Sequence, residues 1–350
     1  MIITRTALAL AAAILMCLSG VARSESEQVD ELETVLVTGE HPGPGLWKIS
    51  KGDHVMWVLG AYGPLPKDMI WRSQAVETRI AESQEVILPS DIKIDIGIGF
   101  FRGLTLVPAV IKAIYLPDHK TLKDVVPEKT WLKWRLLREK YIGRSDAVDR
   151  LEPSFAVDTL RDKAYSRNRL TDGPVVEAIV KSAARKRKVR VRNLRDVERK
   201  MKMKTDDIRS VLKSVREVPD VDCFTRSLDQ LEADIEQLKA RANAWAQGDI
   251  EALRYLHEQP EMGSECDDMF VTAIMSSDSS SSARMKQLEA EYDGREVQAK
   301  EQAEVNWIAA ARKALDKNRS TFAVLPIREV VATNGYVAKL RELGYEVEGQ

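Results

Sequence analysis

The stretch GLWKISKGDHVMWVLGAYG, Gly45 to Gly63, decides the fold. Leu46, Trp47 and Ile49 form a short apolar run. Lys51-Gly52-Asp53 is a turn, and Gly52 can take the positive φ that a tight hairpin requires. Val55-Met56-Trp57-Val58-Leu59 is continuously apolar, the pattern of a strand covered on both faces. That strand runs out into Gly60-Ala61-Tyr62-Gly63-Pro64, a glycine/proline loop of the kind on which binding and catalytic sites are built.

Working outward, Asp68 to Ser83 has helical spacing, and Val86-Ile87-Leu88 reads as a second core strand stopped by Pro89. Ile92 to Gly99 alternates as a half-buried strand, and Phe101 to Tyr115 is apolar enough for either strand or helix. Thr130 caps a predicted helix to Tyr141 with Trp131, Trp134, Leu137 and Tyr141 on one stripe. Ser154–Ser166 and Pro174–Ala184 read as further helices, and Val189-Arg190-Val191 as a strand. Ser227 to Trp245 is the clearest helix, opened by a Ser227/Gln230 capping box. Gly248 ends it and Asp249 caps Ile250 to His257. Met275–Ser282 reads as a loop. Ala283 to Asn318 follows as one helix, or two broken near Asp293-Gly294. Ser320–Pro326 is a strand, Val337–Leu343 a helix and Gly344–Val347 a last strand.

The chain has 350 residues, 44% hydrophobic and 31% charged, with net charge −1, which is globular and gives no overall pull toward nucleic acid or anionic membrane. Arg5 and the apolar run Ala7–Leu18 read as a signal peptide over 1–24, cleaved after Ala22 or Ser24. An acidic leader over 25–44 follows, with a short strand at Thr34–Val37. No other apolar run is long enough to span a bilayer. The mature chain keeps Cys223 and Cys266, and two cysteines in an exported chain are expected to pair. Closing that loop stabilises by roughly 3–4 kcal/mol in the chain-entropy model.

Together, Leu46-Trp47-Lys48-Ile49, Val58-Leu59-Gly60, Leu65-Pro66, Ile70–Val76 and Ala81–Leu88 resemble the opening of the TraB/GumN/PrgY family, with its TIKI-like hydrolase fold. Asn306-Trp307-Ile308, Thr321–Val324, Gly335-Tyr336, Lys339-Leu340 and Gly344–Val347 resemble its closing half. The resemblance implies an α/β (α+β) fold: a mixed sheet from N- and C-terminal segments, surrounded by helices, in one domain over 45–350 with a helical middle over about 125–320. It also implies a metal-dependent hydrolytic site at two Gly-x-x-His strand ends, and here this chain departs. Gly63 stands at the first His, Arg328 at the second, Leu88–Ser90 at a strand-end acid, Val305 at an Arg, and Arg192–Arg195 at another acid.

No catalytic or metal-ligating set survives that pattern. The four histidines, His41, His54, His119 and His257, sit outside the expected strand ends, and no Gly-x-Ser-x-Gly elbow or phosphate loop is present. The candidate pocket is Gly60, Tyr62, Gly63, Asn306, Arg328 and Glu329, an aromatic, a cation and an anion suited to a small polar ligand. Three readings follow. The first is a non-catalytic, periplasmic or secreted domain binding such a ligand or an envelope protein, without cofactor. The second is a Zn or Mn hydrolase or protease with rearranged ligands such as Asp91, Glu329 and His54. The third is a polyanion binder through Lys181–Lys204, with Arg187, Arg190 and Arg192 at its centre.

Overall fold

A computed structural model describes residues 44–67, 69, 73–171, 173–217, 221–258 and 280–349. The strands are β1 (Leu46–Lys51), β2 (His54–Ala61), β3 (Leu65–Pro66), β4 (Glu85–Leu88), β5 (Ile92–Asp95), β6 (Leu170–Thr171), β7 (Arg190–Asn193), β8 (Val197–Lys200), β9 (Ser320–Pro326) and β10 (Glu346–Glu348). The helices are α1 (Gln74–Ala81), α2 (Phe100–Ile114), α3 (Leu122–Val125), α4 (Glu128–Tyr141), α5 (Pro153–Arg167), α6 (Val175–Lys186), α7 (Thr205–Glu217), α8 (Val221–Gln247), α9 (Ile250–Glu258), α10 (Ser280–Lys317), α11 (Ile327–Val331) and α12 (Tyr336–Glu342).

The fold is α/β. Its main sheet has six strands in the order β10-β1-β2-β9-β4-β7. β1 pairs antiparallel with β10 and β2, while β2, β9, β4 and β7 run parallel. The hairpin closes through Gly52 at φ +61°, with Lys51 opposite His54, as the turn residues require. The apolar runs of β2, β4 and β9 become the core strands: Val58, Leu59, Val86, Phe322, Ala323 and Val324 are buried. Arg79 of α1 stacks 4.2 Å over Trp57. On the alternate side, Leu315 O of α10 meets His54 Nδ1 at 2.7 Å. Helices thus cover both faces of the sheet.

The helical middle begins earlier than the sequence suggests, at Phe100, and is not purely helical. β7, from the middle, joins the main sheet as its edge, and β5 and β8 form a separate parallel pair. Phe101–Tyr115 resolves as helix. Thr130 is not a cap: Pro127 occupies that position, and buried Thr130 places Oγ1 3.1 Å from Thr225 Oγ1. Ser227 lies inside α8, which starts six residues earlier at Val221. The capping box was a local pattern overridden by burial of Cys223 and Phe224. α10 runs unbroken through Gly294. Asp249 caps α9 as expected, its Oδ1 accepting from Ala252 N–H at 3.0 Å. The expected signal peptide, most of the leader, the Thr34–Val37 strand, His41, Cys266 and most of the Met275–Ser282 loop lie outside the described residues; Ser280–Ser282 belong to α10.

Candidate functional site

Because β2, β9, β4 and β7 are parallel, their carboxyl ends form one row, where open α/β sheets place their ligands. The register sets Ala61 against Pro326 and Leu88 against Asn193. Tyr62 and Pro89 therefore begin loops above the sheet, and Ile327 begins α11 there. Gly60, Tyr62 and Gly63 at the end of β2, and Arg328 and Glu329 after β9, stand at this end.

Gly60 is held by two contacts that the sequence does not announce. Its carbonyl accepts from the buried Trp245 Nε1 at 2.7 Å. A Cβ on Gly60 would come 2.3 Å from Ile327 Cδ1. Glycine is needed there because the first residue after β9 packs onto it. Gly63 is the opposite case: a Cβ there meets nothing within 4 Å. Its peptide to Pro64 is cis, and the chain then forms the short β3–β6 pair. Tyr62 packs against the main core.

Arg328 is 54% exposed at its side chain, with Nε 3.3 Å from Glu329 Oε1. This ion pair stands at the rim and does not plug the core. Tyr336 lies beside it. Burial, then the charges of Glu329 and Glu304, push its hydroxyl up to about 12. Tyr336 packs on Trp307 with ring centroids 5.7 Å apart. Asn306 is turned along its own helix, its Oδ1 accepting from Gln302 Nε2 at 3.0 Å. Asp91 follows β4, and its carbonyl accepts from Val197 N–H at 2.8 Å, tying that loop to β8.

His54 opens β2 and so lies at the amino end of the sheet, about 26 Å along the strand from Tyr62 at 3.3 Å per residue. It is not brought to Asp91 and Glu329. Among the described residues no three His, Cys, Asp or Glu groups converge in a way that could hold a metal ion. At the positions where the resemblance places metal ligands, Gly63, Leu88 to Ser90 and Arg328 supply no imidazole or carboxylate; the carboxylate at this end, Glu329, is paired with Arg328.

The basic segment is divided by the fold. Arg190 Nη2 donates to the buried Glu85 Oε2 at 2.6 Å, and Arg192 Nη1 lies 4.0 Å from Glu85 Oε1. Asn318 Nδ2 donates to Glu85 Oε1 at 3.0 Å. Two of the three central arginines thus serve a buried carboxylate at the amino end of the sheet; Arg187 stays exposed at the end of α6. Glu85 escaped sequence reasoning, although an acid opening an otherwise apolar strand was the available signal. Cys223 is buried in α8. No described helix is long and apolar enough to cross a membrane.

Comparison with curated proteins and with solved structures finds no match. The model of the TraB/PrgY/gumN family matches residues 45–349, which take in the hairpin, the parallel strands and both loops above them, and by that match the chain belongs to the TraB/PrgY/gumN family.

Proposed function

We propose that this chain is an exported, non-catalytic member of its family that binds a small polar or anionic ligand, or an envelope protein, above the carboxyl ends of β2 and β9. The observation that carries the reading is the space at Gly63. A side chain would fit at Gly63, where the resemblance places histidine, yet none is present. Arg328, half-exposed at the second such position, and Tyr62 supply a cation and an aromatic to the same rim. A hydrolase with rearranged ligands is less well supported, because its histidine would have to come from the far end of β2. Polyanion binding by the central arginines is less well supported, because Arg190 and Arg192 face Glu85 and leave only Arg187 uncommitted to it. A bond between Cys223 and Cys266, formed after export, belongs to the same reading.

The test is metal analysis of the purified protein after incubation with zinc or manganese and desalting. Substoichiometric metal is expected. Stoichiometric metal held by side chains at these strand ends, with hydrolysis of a peptide substrate, would overturn the reading. G63H is expected to fold as well as the parent, which makes it a sound background for rebuilding a ligand there.

A further inference from the structure

Among the described residues an apolar surface is left uncovered away from this site, on α2. Phe100 and Phe101 are 75% and 82% exposed, and Leu104 and Ile111 are 52% and 48% exposed. Phe101, Leu104, Pro108, Ile111 and Tyr115 recur at three- and four-residue steps, so they form one stripe along the helix. The opposite side, with Leu106, Val110 and Ala113, is already buried in a core shared with α7 and α10. The helix is therefore apolar on both sides, with only one side satisfied. Large contiguous apolar patches on a folded surface mark a contact with something else.

The charges around the stripe say what that contact is. α2 has no acid, and carries Arg102 and Lys112. Arg102 Nη2 donates to Met203 O at 2.8 Å, which ties the segment of the exposed Lys202 and Lys204 to the residue next to Phe101. The acids of this corner are engaged: Asp95 accepts from Gly97 N–H at 2.9 Å, Asp206 pairs with Arg209 at 3.1 Å, and Asp207 pairs with Arg284 at 2.8 Å. Two aromatic rings, in edge contact at 5.5 Å, thus project from a rim of cations. We infer that the outer face of α2 docks onto an anionic phospholipid surface, with Phe100 and Phe101 entering the headgroup boundary and Arg102, Lys202 and Lys204 meeting lipid phosphates. An interfacial helix binds through this combination of apolar area and basic flanks. Lys202 and Lys204, at the end of the Lys181–Lys204 segment, find their use here.

The protein as purified from an expressing cell is mixed with phosphatidylcholine vesicles with and without phosphatidylglycerol, and bound protein is separated by sedimentation. Binding is expected on the phosphatidylglycerol vesicles and is expected to weaken with added salt. F100S/F101S, at two exposed positions that leave the core intact, is expected to reduce partitioning roughly tenfold or more. K202E/K204E is expected to remove the preference for anionic lipid. Equal binding by F100S/F101S, or no vesicle binding by the parent protein, would overturn the inference. So would a dimer in gel filtration that F100S/F101S converts to monomer without any lipid binding, since the stripe would then cover a second copy.

Discussion

The two ends of the parallel strands are built on opposite plans. At the amino end the buried Glu85 and its neighbours are closed by polar bonds. Glu85 is held by Arg190 and Asn318, Gln84 Oε1 accepts from Arg319 N–H at 2.6 Å, and Ser83 and Ser320 place their hydroxyls 3.3 Å apart. At the carboxyl end the closure is apolar and incomplete. Ile327 sits on Gly60 and Trp245 caps its carbonyl, while Gly63 faces open space. Ser90 Oγ and Trp307 Nε1 are buried there without a partner. A sheet sealed by polar bonds at one end and left adaptable at the other can keep a binding mouth without loosening its core.

The contrast breaks most easily at Trp245. W245A removes a buried ring and the donor to Gly60 O, and is expected to destabilise by about 3–5 kcal/mol in urea unfolding. A cost near zero would mean that the carboxyl end is frayed surface. E85A at the other end is expected to cost less, about 1–3 kcal/mol, because Arg190 is 71% exposed and can rehydrate. G60A is expected to cost about 1–2 kcal/mol by forcing Ile327 aside, and combined with I327A to cost less than the sum of the two. Independent costs would show that the two residues do not share the contact. The smallest effect concerns pH. The folded-state value of Tyr336 lies near 12 against an ordinary value of 10.0. Its contribution to stability is therefore full below pH 10 and is lost as pH rises toward 12. Y336F should flatten part of that decline, leaving the part due to Tyr292, whose hydroxyl burial also pushes to about 12. E329Q should lower the Tyr336 value in a tyrosinate absorbance titration, because a neighbouring negative charge is gone.

The legible parts of the chain were those whose local pattern and tertiary role agree. β2, β4 and β9 are apolar because both their faces are covered, so the run itself reports the burial. Gly60, Gly63 and Arg328 could be placed because the turn and strand ends fix them within a few residues. The start of α8 was misplaced because Ser227 and Gln230 satisfy a capping rule that burial of Phe224 overrides. α2 stayed ambiguous because apolar residues on both its sides erase the helical period. The Glu85–Arg190 pair joins residues 105 apart, and no local pattern carries that information.

One last consequence comes from α10. Its 38 residues make a beam about 57 Å long at 1.5 Å per residue. Near its start Arg284 grips Asp207 at 2.8 Å, further along Ala299 and Ala303 rest on Val197, and its far half seats Trp307 and Leu315 in the main core. Three apolar compartments thus hang from a single girder. None of these three can melt without exposing turns on which the others depend, so they are built to come apart together, while the separate core around Trp134 and Phe224 holds no residue of α10.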